Sequence, residues 1–341
     1  MRQGRLPPLH RLAPSPAIGA EPVLRLPLSL MSPKGSRGRL SILIFHRVLR
    51  EPDPLAPDEP DAAAFETRMR WVRDWFNVLP LAHAVDMLYQ GALPARALSI
   101  TFDDGYSDNE ELAAPILAGL GMTATFFVSS GYTGGAAMWN DRVIEAIRAC
   151  ESTRLDASAA GMGDIALETL AQRRRAVAAL LGRIKHFEPA HREAAVTAIV
   201  SAAGAKPCRP LMMQPDQLRR LRTLGMDVGA HTVTHPILSR LDAHAARSEI
   251  ADGKSALERL LGEPIELFAY PNGLPDVDYR SEHVAMTREL GFKAAVCTSW
   301  GAASARSDRF QLPRFTPWDR TRLRFGARLL GNLRHAGRTA A

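Results

Sequence analysis

Leu98-Ser99-Ile100-Thr101-Phe102-Asp103-Asp104-Gly105-Tyr106 is an apolar, β-prone run that stops at two adjacent carboxylates and a glycine. The pattern predicts a buried strand that delivers charge to its own C-terminal end. Adjacent carboxylates repel, so a fold that keeps both ionised must supply a counter-cation, hydrogen-bond one of them heavily, or protonate one. A metal ion is the simplest of these answers. An Asp-Asp-Gly turn after an edge strand is the alternative for this stretch taken alone.

A second stretch, Met226-Asp227-Val228-Gly229-Ala230-His231-Thr232-Val233-Thr234-His235-Pro236, places two histidines four residues apart just after another short strand. On a helical turn such a pair shares one face, so both imidazoles can converge on one ion. Alone, the pair reads equally as a ligand set or a surface turn. Joined to the paired aspartates, it describes an Asp/His/His site with an open water position, as in hydrolytic metal centres.

Outward from these stretches, strands and helices alternate. An apolar run over residues 40–45 ends at His46. A helix over residues 62–76 shows Phe65, Met69, Val72 and Phe76 on one face. Further helices are expected over 81–90, 108–119, 214–224, 243–262 and 280–290, with strands over 123–128, 265–270 and 293–298 and an extended piece over 310–315. This alternation is the signature of a parallel sheet with helices outside, doubly wound or closed into a barrel. His46, Asp103, Asp104, His231 and the Tyr270-Pro271-Asn272-Gly273 turn each follow a strand's C-terminal end, the face where α/β barrels carry their active sites. Residues 131–212 read as an inserted helical lid. Within it, Trp139 either stacks on a ligand ring or pins the insertion to the barrel.

Composition narrows the rest. The net charge of +7 is uneven: residues 1–50 hold nine basic residues against Glu21, and residues 320–341 hold six and no acid, so the ends carry +14 and the middle −7. That distribution argues against nucleic acid as a partner and leaves peripheral contact of the basic termini with a membrane as an expectation. Residues 1–37 read as a disordered basic extension and 321–341 as a basic tail helix with Leu323, Leu329, Leu330 and Leu333. Cys150, Cys208 and Cys297 read as reduced, buried thiols. No apolar run approaches the roughly 18 residues needed to span a bilayer. The stretch Pro22 to Leu30 is broken by Arg25 and Pro27 and lacks a cleavage site, so the sequence points to the cytoplasm. Met31 is an alternative start.

T-F-D-D-G over residues 101–105, followed by H-T-V-T-H over residues 231–235, resembles the NodB-like polysaccharide deacetylases, carbohydrate esterases that remove N-acetyl groups from sugars. The resemblance covers residues 38–320 and implies a distorted (β/α)7-type barrel, with Asp103 as general base and Asp104, His231 and His235 as ligands of a divalent metal. That donor set suits Zn2+ and also Co2+ or Ni2+. The family usually takes its proton-donating histidine from a late Leu-x-His motif, and here Leu333-Arg334-His335 lies in the basic tail. Ile44-Phe45-His46 looks like that element moved to the front, as in the permuted motif order of poly-N-acetylglucosamine deacetylases. His46 then protonates the departing amine; a core histidine at a strand end is the alternative. Residues 268–273 resemble the family's third motif, whose tyrosine offers a backbone N–H to the oxyanion, a role that falls to Tyr270. The family's arginine before its proline-tyrosine pair is absent, and Arg314 is the candidate to hold Asp103, with a purely structural arginine as the alternative. Thr232 and Thr234 are expected to orient the histidine loop. The implied partner is an N-acetylated glycan. Two rival readings remain, a hydrolase of small cyclic amides or ureides and a glycan-binding barrel without catalysis.

Overall fold

A computed structural model describes residues 22–205, 210–316 and 319–341. In chain order its strands are β1 (Leu40–Phe45), β2 (Asn77–Val78), β3 (Ala97–Phe102), β4 (Thr125–Val128), β5 (Arg154–Asp156), β6 (Asp164–Ala166), β7 (Asp227–Ala230), β8 (Leu267–Ala269), β9 (Ala294–Trp300) and β10 (Leu312–Arg314). Strands β1, β3, β4, β7, β8, β9 and β10 pair in that order, all parallel, and β2 adds two residues beside the start of β3. The first and last strands meet. Ile44 N–H donates to the Phe315 carbonyl (3.0 Å) and Phe315 N–H to the Ile42 carbonyl (2.8 Å), which closes the sheet into the expected (β/α)7-type barrel.

Alternation along β3 sets up the site. Leu98, Ile100 and Phe102 face outward, where Phe102 stacks between Phe45 (5.4 Å) and Phe126 (4.8 Å) and packs under Phe65 and Met69 of α2 (Ala62–Trp75). Ser99 and Thr101 therefore point into the barrel, and so does the next residue of that parity, Asp103. At the opposite mouth, Leu81, Val85 and Leu88 of α3 (Leu81–Tyr89) pack on Leu40, Ile42 and Ala97 and stopper the interior. After β3 comes a π-helical turn (Asn109–Ala113) that runs into α4 (Ala114–Gly119), a single helix in the sequence reading.

The inserted segment folds as α5 (Trp139–Ala149), the β5–β6 hairpin, α6 (Leu170–Ile184) and α7 (Pro189–Ala202) around its own apolar cluster, which includes Val143, Ile147, Leu180 and Ile199. The hairpin is an addition to the all-helical expectation. The barrel is then completed by α8 (Pro215–Thr223), α9 (Ala243–Leu261) and α10 (Ser281–Glu289), and the chain ends with α11 (Arg322–Asn332).

The reading of residues 1–37 as a disordered extension differs from the structure over its second half; residues 1–21 lie outside the described residues. Residues 22–31 form α1 (Pro22–Met31), whose Leu28 is fully buried, with Leu24 and Met31 packed on the same cluster. That spacing is one helical stripe, and its burial overrides the interruption by Arg25 and Pro27. The α11 helix lies against it. Gly326 lets Leu24 approach closely, since a Cβ there would collide with that side chain. Phe325 and Leu329 of α11 are buried, and the Phe325 ring lies 5.7 Å from Trp71, whereas Leu323 is 75% exposed. Cys150 and Cys297 are buried free thiols, and Cys208 lies outside the described residues. No described helix is long and apolar enough to cross a membrane.

Candidate functional site

Asp103, at the end of β3, points into the barrel and meets Arg314 from β10. Arg314 Nη1 donates to Oδ1 and Nη2 to Oδ2, both at 2.6 Å, a bidentate fork. The guanidinium also donates through Nε to the Cys297 carbonyl (3.0 Å) and through Nη1 to the Thr101 hydroxyl (3.2 Å), which itself donates to the Leu43 carbonyl (2.7 Å). Strands β1, β3, β9 and β10 thus hold one charge pair, and both side chains are essentially excluded from solvent. Burial alone would raise the Asp103 pKa; Arg314, then His231, outweigh it and hold the carboxyl below the usual carboxylate range. The fold thus brings the Arg314 guanidinium onto the Asp103 carboxylate.

Asp104 has a left-handed backbone (φ 75) and is followed by Gly105 (φ 93), so the chain turns at once and the second carboxylate reaches the mouth. Its Oδ1 lies 3.5 Å from His231 Nε2 and 3.4 Å from His235 Nε2. That oxygen is buried and has no hydrogen-bond partner among the described residues. His231 Nδ1 is 2.7 Å from the Ala269 carbonyl. A carbonyl only accepts, so Nδ1 carries the proton and the Nε2 lone pair faces Asp104. Burial pushes the His235 pKa down to about 4, which keeps that ring neutral near pH 7. Burial acts on His231 in the same direction, but the Asp103 and Asp104 carboxylates overcome it and raise its pKa. An orphaned carboxylate oxygen facing two imidazole nitrogens, all within 4.8 Å of one another, is a donor set that a divalent cation fits.

The histidines do not share a helical turn, as their spacing suggested. They sit on an irregular loop in which Thr232 (φ 65) and His235 (φ 55) are both left-handed. Three contacts hold that strained path. The Thr232 hydroxyl accepts the His235 N–H (3.1 Å), as expected for a loop-orienting threonine. Glu249 of α9 accepts the N–H groups of Val233 and Thr234, each at 2.9 Å, and the Thr234 hydroxyl at 2.7 Å. Gly253, one turn further along α9, lets the helix touch the loop, because a Cβ there would lie 2.9 Å from the Thr232 carbonyl oxygen. Glu249 was missed by the sequence reading. Its only signal is that two consecutive loop N–H groups need an acceptor.

His46 follows β1, and the register that pairs Phe45 with Phe102 sets it beside Asp103 at the end of the neighbouring strand. Its carbonyl accepts from Asn109 Nδ2 (2.9 Å), and its ring contributes to lowering the pKa of both aspartates. The tail histidine His335 instead stacks on Trp300 (4.4 Å).

Tyr270 requires a correction. Its N–H donates to the Val296 carbonyl (3.2 Å), because β8 is still in register with β9 at that residue. The ring is fully buried and stacked on Tyr279 (3.9 Å), with its hydroxyl bonded to the Thr287 hydroxyl and the Phe310 carbonyl, both at 3.0 Å. Tyr270 is a core residue with no free donor. The chain leaves the sheet at Pro271, and left-handed Asn272 (φ 58) reaches the mouth.

A cavity of about 240 Å³ opens there, with Asp104, His235 and Asn272 on its barrel side and Trp139, Lys185 and Arg192 on the insertion side. The insertion is tied to the aspartate turn by Tyr106, whose hydroxyl donates to Asp141 (3.1 Å), a carboxyl that burial pushes up to about 7.

The sequence profile of the family described as "Polysaccharide deacetylase" matches residues 90–295, a span containing both aspartates and both histidines. YxkH of Bacillus subtilis (strain 168), provisionally named a polysaccharide deacetylase, is 22% identical over 278 residues, which is 81% of this chain and 70% of YxkH. Among solved structures, the Streptococcus pyogenes deacetylase PplD in complex with acetate matches with a TM-score of 0.58 and 19% identity, over 86% of this chain and 98% of its own. IcaB from Ammonifex degensii matches with 0.56 and 17%, over 89% and 99%. These two share the barrel fold with this chain.

Proposed function

Because the chain belongs to the polysaccharide deacetylase family, hydrolases of carbon–nitrogen bonds, we propose that it removes N-acetyl groups from an N-acetylated glycan, using Asp103, His46 and a cation held by Asp104, His231 and His235. What supports this reading most is the opposite treatment of two adjacent carboxylates: Asp103 is neutralised by Arg314, and Asp104 is left with a buried oxygen facing two imidazoles.

When bound, a divalent cation supplies Lewis acidity for the acetamide carbonyl and acidifies a water. Two imidazoles and a carboxylate suit Zn2+, and Co2+ or Ni2+ as well. Asp103 is ionised and aimed by the Arg314 fork, so it accepts the proton of the attacking water. Arg314 spends its donors on positioning, which keeps the base from rotating away. His46, on the adjacent strand end, delivers a proton to the departing nitrogen, without which an amide leaves very poorly. Asn272 replaces Tyr270 as the residue that offers a backbone N–H to the carbonyl oxygen as charge develops there.

Acetate release from a panel of N-acetylated oligosaccharides tests the reading, using metal-stripped protein before and after reloading. Release is expected only after reloading, and it is expected to vanish in Asp103→Asn and His231→Ala proteins. A reloaded wild-type protein that leaves every N-acetylated sugar intact while opening a cyclic amide would overturn it.

A further inference from the structure

Hydrolysis does not account for everything the insertion brings to the cavity. Lys185, just after α6, and Arg192, in α7, line the same space as Asp104 and His235. Among the described residues neither has a carboxylate within ion-pair distance, although Glu193, the neighbour of Arg192 in α7, is paired with Arg142. Arg192 lies over the Trp139 indole at 5.4 Å, and burial lowers its pKa. A cation partly withdrawn from water without a counter-charge is costly, and the cost is recovered when an anion arrives. Among the described residues the only carboxylate lining the cavity is Asp104, which the proposed function assigns to the divalent cation. The remaining fixed charge there is positive, although residues 51–319 as a whole carry −7.

We propose that the insertion forms an anion-reading wall: the acetamido sugar accepted here bears a phosphate or carboxylate, on the same ring or the adjoining residue, which Lys185 and Arg192 engage while Trp139 packs on the sugar. The proposal rests on the deacetylase reading and specifies its substrate class. The rest of the body, net acidic, would repel such a substrate, so a local pair of cations is what admits it. Lys185 supplies a mobile point charge and Arg192 a planar fork held by the indole, a combination that tolerates either anion geometry.

Calorimetric titration of the metal-loaded chain, carrying Asp103→Asn to prevent turnover, tests this. The probes are N-acetylglucosamine, N-acetylglucosamine 1-phosphate, and a disaccharide of N-acetylglucosamine and glucuronic acid. At least one charged probe is expected to bind about tenfold or more tightly than the neutral sugar. That ratio should shrink several-fold in Lys185→Gln and in Arg192→Gln, disappear in the double variant, and weaken with added salt. Arg148→Gln, at a residue paired with Asp53 that does not line the cavity, should leave it unchanged. The preferred charged probe identifies the anion as phosphate or carboxylate. Equal binding of neutral and charged probes, or a preference that survives the double variant, overturns the proposal. Those results leave the deacetylase reading standing, which fails only if acetate is not released.

Discussion

The carboxylate of Asp103 meets a guanidinium whose donors are shared among strand ends and carbonyls, while that of Asp104, one residue on, meets two imidazoles and keeps a buried oxygen without a partner. The first region is rigid sheet interior, built from regular strands. The second is an irregular loop with left-handed residues, held from behind by Glu249. Two adjacent like charges would cost stability in a buried turn, and the fold divides the problem. One charge is cancelled by the chain itself, and the other keeps a buried oxygen with no hydrogen-bond partner among the described residues.

The largest expected effect comes from breaking the closed half. Arg314→Met strips Asp103 of its counter-charge in a buried site and is expected to cost about 3–5 kcal/mol in chemical denaturation. Adding Asp103→Asn to that variant should restore much of the stability and none of the acetate release, which separates the structural pair from the chemistry. If the double variant is no more stable than Arg314→Met alone, the fork is not what neutralises Asp103.

The same pair gives a pH dependence with a defined sign. The folded pKa of Asp103 lies below its ordinary value, so its stabilisation is present in full above about pH 4 and is lost as the pH falls through the folded value. In Arg314→Met the largest charge opposing burial is gone and only the His231 and His46 rings still oppose it, so the carboxyl pKa should rise and acid should relieve the variant where it destabilises the wild type. Denaturant midpoints measured from about pH 3 to pH 7 compare the two slopes, and parallel slopes would contradict the assignment.

In the open half, Glu249→Ala leaves the three proposed ligands in place and removes what shapes the histidine loop. Zinc affinity is expected to fall about 10- to 100-fold, the usual effect of losing support behind metal ligands. An unchanged affinity would show that Thr232 holds the loop unaided. The smallest effect is expected for Tyr270→Phe. It deletes a buried hydroxyl at a cost of about 1 kcal/mol and should leave kcat for acetate release within a few-fold of the wild type. A loss of about 100-fold would contradict the placement of this side chain in the core, away from the chemistry.

How much of this was readable before the fold depends on whether the signal is local. The barrel and the two stretches that meet at its mouth were legible because each apolar run ends at its charges, so position along the chain is position in the candidate site. Arg314 was legible for the same reason, at the end of the last strand. Tyr270 was not: which N–H in Tyr270-Pro271-Asn272 is free depends on where β8 stops pairing with β9, a tertiary fact. The histidine loop was read as a helical turn because spacing alone does not reveal that Thr232 and His235 are left-handed. The α1 helix was hidden because Arg25 and Pro27 break its pattern, and only burial of Leu28 against the body makes it stable. Lys185 and Arg192 belong to different helical segments, so no periodicity links them.

X-ray absorption at the zinc edge of the reloaded protein tests the central claim most directly, that Asp104, His231 and His235 converge on one cation. The account expects two imidazole nitrogens and a carboxylate oxygen around the metal at about 2.0–2.2 Å. Zinc bound without imidazole scattering, or with one histidine only, would contradict it.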